Sequence, residues 1–446
     1  MSSGVSAGSA SRAPRKLFGT DGVRGVAGDF LTADLAVALG RAAARISAAE
    51  APQVLIVRDT RESGEMLEAA LAAGVAAGGG HALLGGVLPT PGASVLVRRY
   101  DFDLAAVVSA SHNPYRDNGI KFFGPEGTKL ADDQEAAIEG CLDARSPGRM
   151  GRVRELHGAP GDYLRELESR FSGLRLEGRR ILLDCANGAT HRVAPEIFRR
   201  LGADVDAVAV EPDGRNINEG CGSTHIERLA QRMAGHDVGF AFDGDGDRVL
   251  AVDRNGVVVD GDELMALGAL HLRDQGRLSG DGVAVTVMTN YGFHQAMAEH
   301  GVEVATTPVG DRYVLSELLR RGWTLGGEQS GHIIDTGFVP AGDGTAAALL
   351  ALEALGDRDL AQRDAMEKLP QRLVNVPVAD RDALEHAADV WAAVEEESRR
   401  LEGRGRVLLR SSGTEPLVRV MVEAPREDEC QEIVDRLVNL VKTRLG

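Results

Sequence analysis

Aromatic side chains make up only 4% of the 446 residues, so any core must rest on Val, Leu, Ile and Ala. Cysteine is scarce too. Cys141, Cys185, Cys221 and Cys430 are scattered, with no CxxC pair. That spacing excludes a zinc ribbon or a disulfide framework and fits the reduced thiols of a cytoplasmic protein. No run of about 18 apolar residues occurs, so no helical membrane span is expected. Positive charge is outweighed, 50 Lys and Arg against 67 Asp and Glu, for a net charge of −17. Such a surface argues against nucleic acid or an anionic membrane as the main partner. It also means that an anionic substrate needs local Arg and Lys to reverse the field. The G-x-S-x-G elbow of serine hydrolases and the Walker A loop are both missing. The opening MSSGVSAGSASRAP has no apolar core, so residues 1–15 read as a disordered tail rather than a leader or an anchor.

What is present is a rhythm. VLIVRDTRESGEMLEAALAAGVAAGG from Val54, ILLDCANGATHRVAPEIFRRLGADV from Ile181 and VAVTVMTNYGFHQAMAEHGVEV from Val283 share one pattern. Each is a short apolar run, a polar loop, a stretch with helical spacing, a glycine stop and a second apolar run, which is a strand–helix–strand unit. Further along each unit an apolar run ends in an unusual loop: AAVV then SASHNP, VGFAF then DGDGDR, WTL then GGEQSGH. Ligand sites in open α/β sheets form beyond the carboxyl ends of strands, so the loops could converge on one cleft. The expectation is three successive similar α/β domains with mixed sheets around a central cleft, over 16–160, 161–262 and 263–372. LVNVPV, a helix-like stretch from Asp380 to Leu401, RVLLRSSGTEPLVRVMVEA and a final amphipathic helix add a smaller α+β domain over 373–446.

Four loops carry chemistry. In DGDGDR, Asp243, Asp245 and Asp247 alternate with glycines that let the backbone fold tightly, which suits a hard cation with oxygen ligands. An EF-hand is excluded, because Arg248 stands at its sixth position and Arg254 at its twelfth. A phosphatase using Asp243 as nucleophile, or a solvated acidic turn, remains open; for phosphate chemistry Mg²⁺ is the better match. SASHNP read alone is equally a helix N-cap with a spare histidine. Beside a cation, however, its serine is a candidate phosphoryl carrier, with Arg248, Lys121 in DNGIKFF and Arg24 in KLFGTDGVRG as compensating charge. In GGEQSGH, Glu328 and Ser330 can bond sugar hydroxyls and His332 can move a proton, although a locally satisfied histidine is the plainer reading. RSSGTEPLVR offers hydroxyls, backbone N–H groups and two arginines, a phosphate cradle unless it is an Arg-rich hairpin turn.

SASHNPYRDNGIKFF, DGDGDR, GGEQSGH and RSSGTEP, in that order, resemble the α-D-phosphohexomutase superfamily over nearly the whole chain from Lys16. KLFGTDGVRG, DCANGA from Asp184 and NINEGCGSTH from Asn216 are similar to its bacterial phosphoglucosamine mutase branch. The resemblance implies a phosphorylated Ser111 that, with Asp243, Asp245 and Asp247, holds one Mg²⁺. Lys121, Arg24, His112 and Arg248 would surround the phosphoryl group, with Lys121 and His332 candidates for acid–base work. Glu328 and Ser330 would grip sugar hydroxyls, and Arg410, Ser412, Gly413, Thr414 and Arg419 would hold the other phosphate. The implied activity is interconversion of glucosamine 6-phosphate and glucosamine 1-phosphate through glucosamine 1,6-bisphosphate, feeding UDP-N-acetylglucosamine and cell-wall synthesis. The same chemistry on glucose or mannose phosphates, a metal-dependent sugar phosphatase and a silent phosphosugar-binding protein are the alternatives. A small phosphosugar is the implied partner, and a homodimer is an open assembly. The wording departs from the family at DTGFVPAGDGT (335–345) and at Val57 of VRDTRESG, where glycine is frequent. Asp311 in VGDRYV could face a substrate ammonium group or simply belong to an ordinary turn.

Overall fold

A computed structural model describes residues 17–19, 21–144, 148–380, 382–411 and 416–446, in two compact units. The first takes the chain up to Leu229 with residues 241–247 and 339–341; the second takes the remainder. Among the described residues no helix is long and apolar enough to cross a membrane.

In the first unit, strands β1 (Val23–Val26), β2 (Gln53–Arg58), β3 (His81–Val87), β4 (Leu104–Val108), β5 (Asp117–Phe123) and β6 (Val153–Glu155) form one sheet in the order β1-β5-β4-β2-β3-β6. β2 runs parallel to β3 and β4, and β6 parallel to β3; β5 is antiparallel to β4 and β1. Central β4 is buried along its whole length, hence its unbroken apolar run. Helices Ala33–Ile46 and Gly64–Ala77 cross so closely that a Cβ on Gly40 would lie 2.2 Å from the Leu71 carbonyl oxygen, and one on Gly74 2.1 Å from that of Val37. Only glycine fits at that crossing, and it seats Leu39, Leu67, Leu71 and Val75 on Val54, Ile56 and Leu104 of the sheet. Parallel β7 (Arg180–Asp184) and β8 (Asp204–Val208), with helix Val193–Arg200, repeat the strand–helix–strand theme. β9 (Val238–Phe242) leads into the Asp243–Asp247 loop.

The second unit holds the antiparallel β10 (Val249–Asp253) and β11 (Val258–Val259). Helix Gly261–Asp274 follows, begun by a capping box in which Asp260 accepts from the Asp262 and Glu263 amides. A mixed sheet β13-β12-β14-β15 comes from β12 (Gly282–Thr286), β13 (Glu303–Thr307), β14 (Leu325–Gly327) and β15 (Ile333–Asp335). The third strand falls on LGG and not on WTL, so the loop of interest shrinks to the residues from Glu328 onward. The last sheet, with β16 (Gln371–Pro377), β17 (Arg406–Ser411) and β18 (Leu417–Glu423), is antiparallel with β18 central. Helices Ala388–Arg400 and Glu427–Leu445 bury Val390, Val394, Ile433 and Leu437 on Val418, Val420 and Val422. The helix expected from Asp380 therefore begins eight residues late, at Ala388, after a 3₁₀ turn over Asp382–His386.

Candidate active site

Because β2 and β4 are adjacent and parallel, the loops leaving their carboxyl ends lie side by side. Asp59 and Ser109 are the first residues of those two loops. Ser109 Oγ donates to Asp59 Oδ2 at 2.7 Å and accepts from the Ser111 amide at 2.9 Å. Ser111 itself has φ +52, a left-handed conformation that a serine adopts only when its surroundings impose it. No helix starts here; the next element is β5, so the N-cap reading of SASH is excluded. His112 Nδ1 lies 3.4 Å from Ser111 Oγ.

The Asp243–Asp247 loop meets this serine directly. Ser111 Oγ donates to Asp243 Oδ2 at 2.5 Å, and both groups are buried. Asp245 Oδ2 accepts from Thr90 Oγ1 at 2.6 Å and from Lys121 Nζ at 3.0 Å, while its Oδ1 is buried without a hydrogen-bond partner. Asp243, Asp245 and Asp247 are all buried and each brings one oxygen within 4.8 Å of the others. Lys121, on β5 opposite Val107, sits between Asp245 and Asp21, the latter at 3.2 Å. Burial alone would discharge Lys121, but Asp21 and Asp245 hold its pKa above the usual lysine value. Burial would likewise raise Asp245, yet Lys121 and the Thr90 hydroxyl keep it well below the carboxylate range. Asp21 is also held low against its burial, by Lys121, Lys129 and Arg24, and Arg24 pairs with it directly. Arg24, Lys129 and Lys121 all lie against Asp21, and Lys121 also contacts Asp245 of the aspartate trio. Three converging buried carboxylates, with Asp245 Oδ1 unpartnered, make an environment that fits a divalent cation with oxygen ligands.

The remaining expected residues belong to the second unit. The Glu328 carboxylate accepts from the Gly310 amide at 2.8 Å, and Ser330 Oγ lies 3.4 Å from its other oxygen. His332 is buried 3.8 Å from Asp311, so in this structure Asp311 faces a histidine. Arg410 and Arg419 stand opposite each other in the β17–β18 register. Burial and the Arg419 charge lower the Arg410 pKa, and Arg419 Nε is buried without a partner. Arg248 belongs to the second unit and directly precedes β10. Ser412, Gly413 and Thr414 lie outside the described residues.

Asp59, Arg61, Thr90 and Asn218 were passed over in the sequence, although all four touch the serine loop or the aspartate loop. Asn218 Nδ2 donates to the carbonyls of Ser111 (2.9 Å) and Asn113 (3.1 Å). The available signal was polar residues directly after an apolar strand, as in VRDTRESG, which points to a strand's carboxyl end.

Family models described as "Phosphoglucomutase/phosphomannomutase" match in four pieces: alpha/beta/alpha domain I at 15–148, domain II at 161–256, domain III at 260–373 and the C-terminal domain at 373–440. The chain is 49% identical over 442 residues to a phosphoglucosamine mutase of Pelotomaculum thermopropionicum, covering 96% of this chain and 99% of the relative. It is 48% identical over 441 residues to that of Mycolicibacterium paratuberculosis, with the same coverage. A crystal structure of a phosphoglucomutase/phosphomannomutase family protein from Burkholderia thailandensis has a TM-score of 0.80 at 24% identity, over 96% of this chain and 98% of that one, a likeness of fold.

Proposed function

The chain belongs to the phosphoglucomutase/phosphomannomutase family, and from that premise we propose that it interconverts glucosamine 6-phosphate and glucosamine 1-phosphate. The observation that carries the reading is the buried Ser111 hydroxyl, 2.5 Å from a carboxylate of the aspartate trio. Relatives identical at almost half of the positions over nearly the whole chain are phosphoglucosamine mutases, which supports the amino sugar as substrate.

Ser111 in this reading carries the phosphoryl group, giving it to the free hydroxyl of the sugar phosphate and recovering the opposite one after the 1,6-bisphosphate turns end for end. Asp243, Asp245 and Asp247 would hold Mg²⁺, which when bound neutralises charge on phosphoryl oxygens. The protein's own task is positioning and charge stabilisation, since phosphoryl transfer asks little else. Lys121, fixed by Asp21 and Asp245, and Arg24, paired with Asp21, would supply positive charge to the phosphoryl group. His112 approaches the Ser111 oxygen, and Arg248 would add a further positive charge. Glu328 and Ser330 would take sugar hydroxyls, and His332 would move a proton. Arg410 and Arg419, two like charges facing each other, are a ready partner for the distal phosphate, aided by Ser412, Gly413 and Thr414.

The test is turnover of glucosamine, glucose and mannose 6-phosphates, each primed with a trace of its bisphosphate and Mg²⁺. Preferred isomerisation of the glucosamine ester is expected. Faster turnover of a glucose or mannose ester would move the assignment within the family, and free phosphate without isomer would replace it with hydrolysis.

A further inference from the structure

Behind the reactive serine lies Arg61, whose side chain is 0% exposed. A guanidinium has five N–H donors, and here all are matched. Nε donates to Asp59 Oδ2 at 2.8 Å. Nη1 donates to the carbonyls of Pro114 and, at 2.9 Å, Asp117; Nη2 donates to those of Ser111 (2.8 Å) and Asn113 (2.9 Å). One buried cation therefore gathers four carbonyl oxygens from a single nine-residue stretch, SASHNPYRD. Asp59 fixes that cation and, through Ser109 Oγ, also fixes the Ser111 amide.

The geometry points to Arg61 as the positioning residue of the phosphoryl-carrying loop. Its contacts hold Ser111 in the left-handed backbone that sets its hydroxyl against Asp243. This inference rests on Ser111 being the phosphoryl carrier. Three features support it over a general structural role. The acceptors begin with the reactive serine's own carbonyl and run along the loop that follows it, to Asp117. The conformation they enforce is one serine avoids when unconstrained. Carbonyl oxygens drawn toward Arg61 are also kept from facing a phosphate on the serine, where their dipoles would repel it. Lysine has the charge but lacks the planar fork, so it can serve only part of this set.

The test uses full-length Arg61→Lys and Ser109→Ala with glucosamine 6-phosphate, Mg²⁺ and a trace of the 1,6-bisphosphate. Wild type and Ser111→Ala are run alongside. The assay reads kcat, KM, melting temperature and the ratio of free phosphate released to isomer formed. For Arg61→Lys we expect kcat to fall about 100-fold, the usual cost of an ångström of misplacement. KM should stay within about twofold, and the phosphate-to-isomer ratio should rise at least about fivefold as a mispositioned phosphoserine is lost to water. Ser109→Ala, which cuts the parallel link from Asp59 to the Ser111 amide, should show the same pattern at about 10-fold in kcat, and it tests whether the loop is held from this side if Arg61→Lys fails to fold. Folded variants with wild-type kcat, or with reduced kcat at an unchanged phosphate-to-isomer ratio, overturn the positioning role. Activity in Ser111→Ala would instead overturn the reading of the serine, so the two failures are told apart.

Discussion

Gly244 sits between two of the three aspartates, and replacing it with alanine is a sharp test of how the aspartate and serine loops fit. Its φ is not in the left-handed region, so alanine is not refused by the backbone. The obstacle is space. A Cβ there would lie 2.5 Å from the Ser111 carbonyl oxygen and 2.8 Å from Asn218 Nδ2. That carbonyl cannot retreat freely, because Arg61 and Asn218 both donate to it. The Gly244 carbonyl is likewise held by the Ala189 amide at 2.8 Å, against Gly188, whose own Cβ would lie 2.3 Å from it. Relief must come from the two loops parting until the contact reaches at least 3.0 Å, and 3.4 Å for ordinary packing. Such a shift breaks the 2.5 Å contact of Ser111 with Asp243. Overpacking of this kind typically costs about 1–3 kcal/mol, and displacement of a reacting group by half to one ångström about 10- to 100-fold in rate. Gly244→Ala should therefore stay folded with a melting temperature lower by several degrees, while kcat for glucosamine 6-phosphate falls at least tenfold. A folded variant that keeps more than half of the wild-type kcat would refute the reasoning.

Ser111→Ala should abolish isomerisation and remove the covalent phosphate seen by intact mass; a phosphate remaining elsewhere with activity retained would move the nucleophile. Asp245→Asn should raise the Mg²⁺ needed for half-maximal activity at least about tenfold, with unchanged far-ultraviolet circular dichroism, and an unaltered Mg²⁺ requirement would remove Asp245 from the metal site. His294 is predicted to steepen acid unfolding: burial first, then the nearby Arg406 charge, push its pKa down to about 4, so the unfolded chain binds the extra proton between about pH 6.5 and 4. The stability contributed by neutral His294 is thus present above pH 6.5 and lost as the pH falls, by about 1–2 kcal/mol at pH 5; in urea melts His294→Gln should lose less stability than wild type between pH 7.5 and 5, and parallel losses would exclude the histidine as the cause.

Much of this site could be read from the chain because its chemistry is local in sequence. The aspartate trio alternates over five residues, and Ser111 precedes His112 in an uncommon polar string after an unbroken apolar strand. The third-strand boundary and the start of the helix at Ala388 differ from the sequence pattern because the apolar and helical patterns there extend past the hydrogen-bonded element. Arg61 and Asn218 escaped notice for a different reason. Their partners are backbone carbonyls 50 or more residues away, and a carbonyl has no letter in a sequence. Only the pairing of β2 beside β4 reveals what Arg61 holds.

The two arginines that confront each other across β17 and β18 give this region an internal strain of electrical origin, since like charges at directly opposed strand positions repel. A doubly charged ester docking there would relieve that strain, whereas an uncharged hexose would leave it in place. Discrimination against unphosphorylated sugars would then come partly from the protein's own discomfort when alone, and it should soften as added salt screens the repulsion.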